Sequence, residues 1–89
     1  MRTISITIIN KLGLHARASA KLVSTAARFQ SRLDITKEDK TINGKSITGV
    51  MMLAAPKGSD LILTIDGPDE EAMEQALVSL IQQRFHEEE

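Results

Sequence analysis

Gly13-Leu14-His15-Ala16-Arg17-Ala18-Ser19-Ala20 is the stretch on which the fold turns, because the apolar period changes across it. Upstream, Ile4, Ile6 and Ile8 alternate with Thr3, Ser5 and Thr7, the period-two pattern of a strand with one buried face, spanning roughly Arg2 to Ile9. Downstream, Leu22, Val23 and Ala26 recur at helical spacing, with Ser19 and Phe29 extending the stripe, which predicts a helix from Ala16 to about Phe29. Asn10 to Gly13 supplies the turn between them. His15 therefore stands where a strand hands over to a helix. Unpaired N–H groups and a partial positive charge at such a point favour a bound anion and bias an imidazole toward its neutral, nucleophilic form. Arg17, two residues on, offers a planar guanidinium suited to phosphate oxygens. The same spacing equally fits a capping or surface histidine beside an ordinary arginine.

The exposed face of that helix predicts a stripe of Arg17, Lys21, Ser24 and Arg28, at steps of three and four. Three cations on one stripe serve either as a solvated face or as a surface that steers an acidic partner. Leu33 and Ile35 then alternate with polar neighbours to give a second strand, Ser31 to about Lys37, and Glu38-Asp39 turns into a short third strand around Lys40 to Ile42. Asn43-Gly44 ends it. Ser46 precedes a short helix, Ile47 to about Leu53, where a serine hydroxyl suits the N-cap. Val50 and Leu53 share one side of it, Ile47 and Met51 another. Only one side reaches a small core, so Ile47 and Met51 form a docking patch, or Met51 packs beneath a neighbouring loop.

Pro56, Lys57 and Gly58 lead to a fourth strand, about Ser59 to Asp66, with Leu61, Leu63 and Ile65 inward and Ile62 interrupting a polar outer face. Pro68 fits the first position of a last helix whose first turn carries Asp69, Glu70 and Glu71. Met73, Ala76, Leu77, Leu80 and Ile81 form its apolar stripe. The helix should fray near Phe85, and His86-Glu87-Glu88-Glu89 reads as a solvated tail. The strands show mainly one apolar face each. The expected architecture is α+β, an open-faced β-sandwich in which a four-stranded antiparallel sheet carries three helices on one face. Strand order does not follow from periodicity.

Composition narrows the function classes. The 89 residues, 42% hydrophobic, suit a single domain over residues 1–89. Eleven Lys and Arg against twelve Asp and Glu give a net charge of −1, which does not mark a nucleic-acid binder. With no cysteine there is no disulfide framework or thiol nucleophile. The longest apolar run, Gly49 to Ala55, is too short to cross a bilayer, and the start of the chain enters a strand pattern directly. We expect a cytoplasmic, soluble protein with no cofactor and no metal site: ligand clusters, phosphate-binding glycine loops and dinucleotide fingerprints are missing from the sequence.

Gly13-Leu14-His15-Ala16-Arg17 and Asn43-Gly44-Lys45-Ser46-Ile47, with the succession of elements around them, resemble the HPr family over essentially the whole chain. These are the histidine-containing phosphocarriers of the bacterial phosphoenolpyruvate-dependent sugar phosphotransferase system. The resemblance implies that His15 accepts a phosphoryl group on Nδ1 from enzyme I and passes it to an EIIA-type domain, with Arg17 and the helix amides beside the phosphate. It implies a monomeric carrier with no catalytic turnover of its own. Its partner surface would comprise Ala16, Ala20, Lys21, Ser24, Arg28, Ile47, Thr48 and Met51. Ser46 matches a serine that HPr kinase/phosphorylase phosphorylates in many relatives.

One position departs from the pattern: proline commonly follows the arginine in the family, where this chain has Ala18. Alanine leaves the first helical turn less restricted while still favouring helix. The departure leaves open a nitrogen-related phosphotransferase paralogue; a regulatory HPr-like module that acts mainly through Ser46 is a separate alternative. His15 argues against regulation as the sole role. Outside the family, an unrelated small interaction domain would use both motifs as ordinary caps and turns.

Overall fold

The computed structural model describes residues 1–87. In chain order it holds β1 (Arg2–Thr7), α1 (Ala16–Ala26), β2 (Arg32–Lys37), β3 (Lys40–Asn43), α2 (Ile47–Met52), β4 (Asp60–Asp66) and α3 (Glu70–Gln82), then a short 3-10 turn, Arg84–His86. The sheet order is β1-β4-β2-β3, with every neighbouring pair antiparallel. Register follows the pleat: Ile4 pairs with Leu63 and Ile6 with Leu61 on one side of β4, Leu33 with Ile65 and Ile35 with Leu63 on the other. All of these side chains lie on one face. There they join Ala18, Leu22 and Ala26 of α1, Val50 of α2, and Met73, Leu77 and Ile81 of α3 in one core. Thr3, Ser5, Thr7 and Ile62 face away from it, so the sheet is covered on one side and open on the other, the expected open-faced sandwich.

The elements end where local bonding changes. β1 stops at Thr7, two residues before the expected end, although Ile8 remains bonded across the sheet through Ser59 O at 2.9 Å and Gly58 N at 2.7 Å. α1 closes at Ala26 rather than about Phe29, because Arg28 and Phe29 bond three residues back, to Thr25 and Ala26, and tighten the last turn. Ser31 lies just outside β2, which starts at Arg32, and α2 ends one residue early, at Met52. Among the described residues no helix is long and apolar enough to cross a membrane, and no cluster of side chains suits a metal ion.

The start of α3 corrects the sequence reading. Pro68 does not open the helix; Glu70 does, with Asp69 at the cap position and no cap bond from its own side chain. That carboxylate is used elsewhere, accepting from the Ser31 hydroxyl at 2.5 Å, Ser31 N at 2.9 Å and Gln30 N at 2.8 Å. It ties the end of the α1–β2 loop to the head of α3. The Ser31 hydroxyl and these backbone donors hold Asp69 below the usual carboxylate range. A folded-state value below the unfolded one, about 3.9 for Asp, makes the contribution complete above the unfolded value and lost as pH falls through the folded one. Asp69→Asn should therefore be less stable than the parent at neutral pH, with the gap closing below about pH 4. Urea unfolding at a series of pH values checks this; a gap independent of pH would mean that ionisation of Asp69 contributes nothing.

Candidate functional site around His15

The loop before α1 is fixed on both sides of the histidine. Gly13 adopts φ +68°, a left-handed conformation that glycine takes without a steric cost. A Cβ there would meet Ala55 O at 2.7 Å and Pro56 Cα at 2.8 Å. The turn is closed by Gly13 N to Asn10 O at 3.1 Å and by Asn10 Nδ2 to Gly13 O at 2.7 Å. Leu14 is buried, and its N–H bonds Ala55 O at 2.8 Å, while its carbonyl accepts the Ser19 hydroxyl at 3.2 Å. His15 follows as the N-cap of α1 in an extended conformation, and its carbonyl receives Ser19 N at 2.8 Å. Its ring makes no capping bond, so the capping role open to it in the sequence is not the one it takes. The N–H groups of Ala16, Arg17 and Ala18 begin the helix without intrahelical acceptors, the arrangement that receives an anion. Ala18 is fully buried in the core, and α1 starts at Ala16 without the proline.

The ring is held from an unexpected direction. Nε2 lies 2.5 Å from Glu87 Oε2, and the other carboxylate oxygen accepts Asn10 Nδ2 at 3.0 Å. Glu87 is half-buried, which corrects the expectation of a solvated tail at this residue; Glu88 and Glu89 lie outside the described residues. Burial pushes the Glu87 carboxyl up, but the bonds from Asn10 and His15 and the charges of His15 and Lys21 outweigh it and hold the group below its ordinary value. A carboxylate at Nε2 accepts that nitrogen's hydrogen, so the bonding pattern assigns the lone pair of the neutral ring to Nδ1. Among the described residues Nδ1 has no hydrogen-bond partner.

An open cleft of about 630 Å³ lies over the ring, lined by Lys11, Leu12, His15, Arg17, Lys21, His86 and Glu87. It brings together three of the predicted residues, His15, Arg17 and Lys21. The cationic stripe on α1 is divided, however. Lys21 is half-buried and bonds Phe85 O at 2.6 Å, whereas Arg28 lies over the Phe29 ring at 5.7 Å and borders a separate depression with Thr25 and Ser79. Ala16, Arg17, Ala20 and Ser24 are exposed.

α2 packs on α1 and turns its apolar excess outward. Val50 and Leu53 are buried, while Ile47 is 43% and Met51 46% exposed, so Met51 does not pack beneath a loop. Met52 and Leu12 are exposed as well, which the sequence reading did not foresee. Thr48 faces outward between them. Gly44 positions the start of this segment: its N–H bonds Leu33 O at 2.7 Å, so close that a Cβ would overlap the Leu33 side chain. Ser46 caps α2 as expected, its hydroxyl accepting Gly49 N at 3.1 Å.

Fold and site together define a class: a small open-faced sandwich that presents a histidine at the head of its first helix. The family model described as the PTS HPr component phosphorylation site matches residues 2–83. The chain is 55% identical over 83 residues, 93% of each chain, to the phosphocarrier protein HPr of Neisseria meningitidis serogroup A. It superposes on the crystal structure of HPr-C-His from Thermoanaerobacter tengcongensis with a TM-score of 0.96 and 44% identity, covering 100% of both chains. An HPr dimer from the same organism matches at a TM-score of 0.79 and 44% identity, covering 98% of this chain and 100% of that one. The chain belongs to the HPr family, the phosphocarriers of the phosphotransferase system.

Proposed function

We propose that His15 is the phosphoryl acceptor of this carrier, taking the group on Nδ1 from enzyme I and passing it to EIIA-type domains. One observation carries the reading: His15 stands at the N-cap of α1 with Nε2 engaged by Glu87 and Nδ1 unengaged, in a cleft that Arg17 also lines. The Nδ1 lone pair forms the bond to phosphorus as the donor's bond to phosphorus breaks, and Arg17 and the first amides of α1 receive the phosphate oxygens. The chain works as one domain over residues 1–89 and as a monomer. Lack of cysteine suits a reducing cytoplasm. Ala16, Ala20, Lys21, Ser24, Arg28, Ile47, Thr48 and Met51 form the partner surface, with the exposed pair Ile47 and Met51 as its apolar part. Incubation with phosphoenolpyruvate and enzyme I should give an acid-labile adduct on the peptide that contains residue 15; no adduct, or one elsewhere, overturns the assignment.

Ser46 is the regulatory residue in this reading, phosphorylated by HPr kinase/phosphorylase. Its hydroxyl is half-buried at a helix cap, where phosphate is locally tolerated, yet a phosphoserine adds about two negative charges beside Ile47 and Met51. Two outcomes follow. Ser46→Ala should lose about 1 kcal/mol of stability, because the Gly49 N–H loses its partner, without slowing phosphate uptake. Ser46→Asp should fold with little change but accept phosphate from enzyme I more slowly. Uptake by Ser46→Asp at the parental rate would remove the regulatory role.

A further inference from the structure

The chain after α3 takes a costly path to reach His15. Arg84, Phe85 and His86 have φ of +57°, +56° and +63°, three successive non-glycine residues in the left-handed region, where Cβ crowds the backbone. The turn is anchored by Phe85, which is completely buried, and by Lys21 Nζ on Phe85 O at 2.6 Å. It delivers Glu87 to two donors, His15 Nε2 and the buried Asn10 Nδ2. Asn10 in turn bonds the Gly13 carbonyl, so one amide links the carboxylate to the loop that carries the histidine.

Resting on the assignment of His15 as acceptor, we propose that Glu87 is a positioning residue for phosphoryl transfer, fixing the ring hydrogen on Nε2 and balancing the charge the ring gains on phosphorylation. When the Nδ1 lone pair forms the N–P bond, the electron pair of the broken bond stays with the donor. No proton leaves His15. Nε2 keeps its hydrogen, so the ring acquires one positive charge, and the Glu87 carboxylate lies against that nitrogen. Onward transfer reverses this: the N–P bond breaks, the pair returns to Nδ1, and the ring leaves as neutral imidazole with its hydrogen still on Nε2. Without the carboxylate the neutral ring also samples the form with hydrogen on Nδ1, which has no lone pair at the reacting atom. Among the described residues, the other charged or titratable groups lining the cleft, Lys11, Arg17, Lys21 and His86, carry no carboxylate.

The test compares the parent with Glu87→Gln and Glu87→Ala. Nitrogen-15 NMR of the unphosphorylated proteins, at a pH where the ring is neutral, reads the tautomer; transfer from enzyme I is timed separately. The parent should show Nε2–H alone. Glu87→Gln keeps an oxygen that accepts from Nε2 and should keep the tautomer while transferring more slowly, through loss of charge. Glu87→Ala should show both tautomers and transfer about tenfold more slowly, the lower end of the loss when the hydrogen-bond partner of a metal-ligating histidine is removed. Unchanged tautomer and rate in Glu87→Ala overturns the proposal, as does faster transfer, which would make the carboxylate a block. A parent that takes no phosphate overturns the acceptor assignment and charge balancing with it, while the tautomer measurement still decides what Glu87 does to the ring.

Discussion

His15→Ala is expected to reduce phosphate uptake from enzyme I to the limit of detection, a loss of more than about 10⁴-fold, as when a nucleophile is deleted. The fold should survive. The histidine caps α1 through its backbone, with no side-chain capping bond, so alanine leaves the bonds from Ser19 N to the residue-15 carbonyl and from Leu14 N to Ala55 O in place. What is lost is the contact with Glu87; the His15 and Glu87 side chains are only 27% and 15% exposed, so removing one partner costs about 1–3 kcal/mol, while Asn10 Nδ2 still donates to the carboxylate. Of the other residues lining the cleft, Arg17, Lys11 and Lys21 bring cations, and the exposed His86 supplies the second imidazole, so any residual uptake is to be sought there first. The measurement pairs phosphate incorporation with urea unfolding. Residual uptake at a tenth of the parental rate in a folded His15→Ala protein would assign the acceptor to another residue.

The parts of the site that the sequence made legible are those whose local rules agree with their setting. Ile4, Ile6 and Ile8, or Leu61, Leu63 and Ile65, alternate because the sheet has one dry face, and the pattern survives folding unchanged. His15 at the head of α1 and Ser46 at the head of α2 were legible for the same reason, since a change of period and a capping hydroxyl are local signals. Strand order was not, because alternation says which face is buried and nothing about which strand lies alongside. Pro68 misled because the cap position it should precede holds Asp69, whose carboxylate is drawn to Ser31 and Gln30 across the molecule. Asn10 read only as turn punctuation, although its buried amide supports both Gly13 and Glu87.

Glu87 was hidden for a stronger reason. Three left-handed non-glycine residues in succession contradict every local preference, so a polar segment after a fraying helix is what the sequence offers there. The one available signal was Phe85, a large apolar side chain at the end of a stripe that continues through Leu77, Leu80 and Ile81.

Phe85→Ala should consequently be the most destabilising of these substitutions and should also disconnect the site. Phe85 heads the fully buried side chains by volume, and deleting such a ring costs about 3–5 kcal/mol through lost transfer energy and a residual cavity. Against a total of about 5–15 kcal/mol, that is a large share; at about 4 °C per kcal/mol the melting temperature should fall by at least about 12 °C. The strain at Arg84, Phe85 and His86 then has nothing to hold it, so the turn should relax, Lys21 should lose its acceptor at Phe85 O, and Glu87 should leave His15. Phe85→Leu retains most of the apolar volume and should fall between parent and Phe85→Ala in stability. A double-mutant cycle separates lost packing from lost positioning. Glu87→Ala placed on Phe85→Ala should leave the His15 tautomer ratio where Phe85→Ala alone puts it, because the carboxylate is already gone. If the two changes add in full, Glu87 reaches His15 without its anchor, and the left-handed turn is not what brings it there.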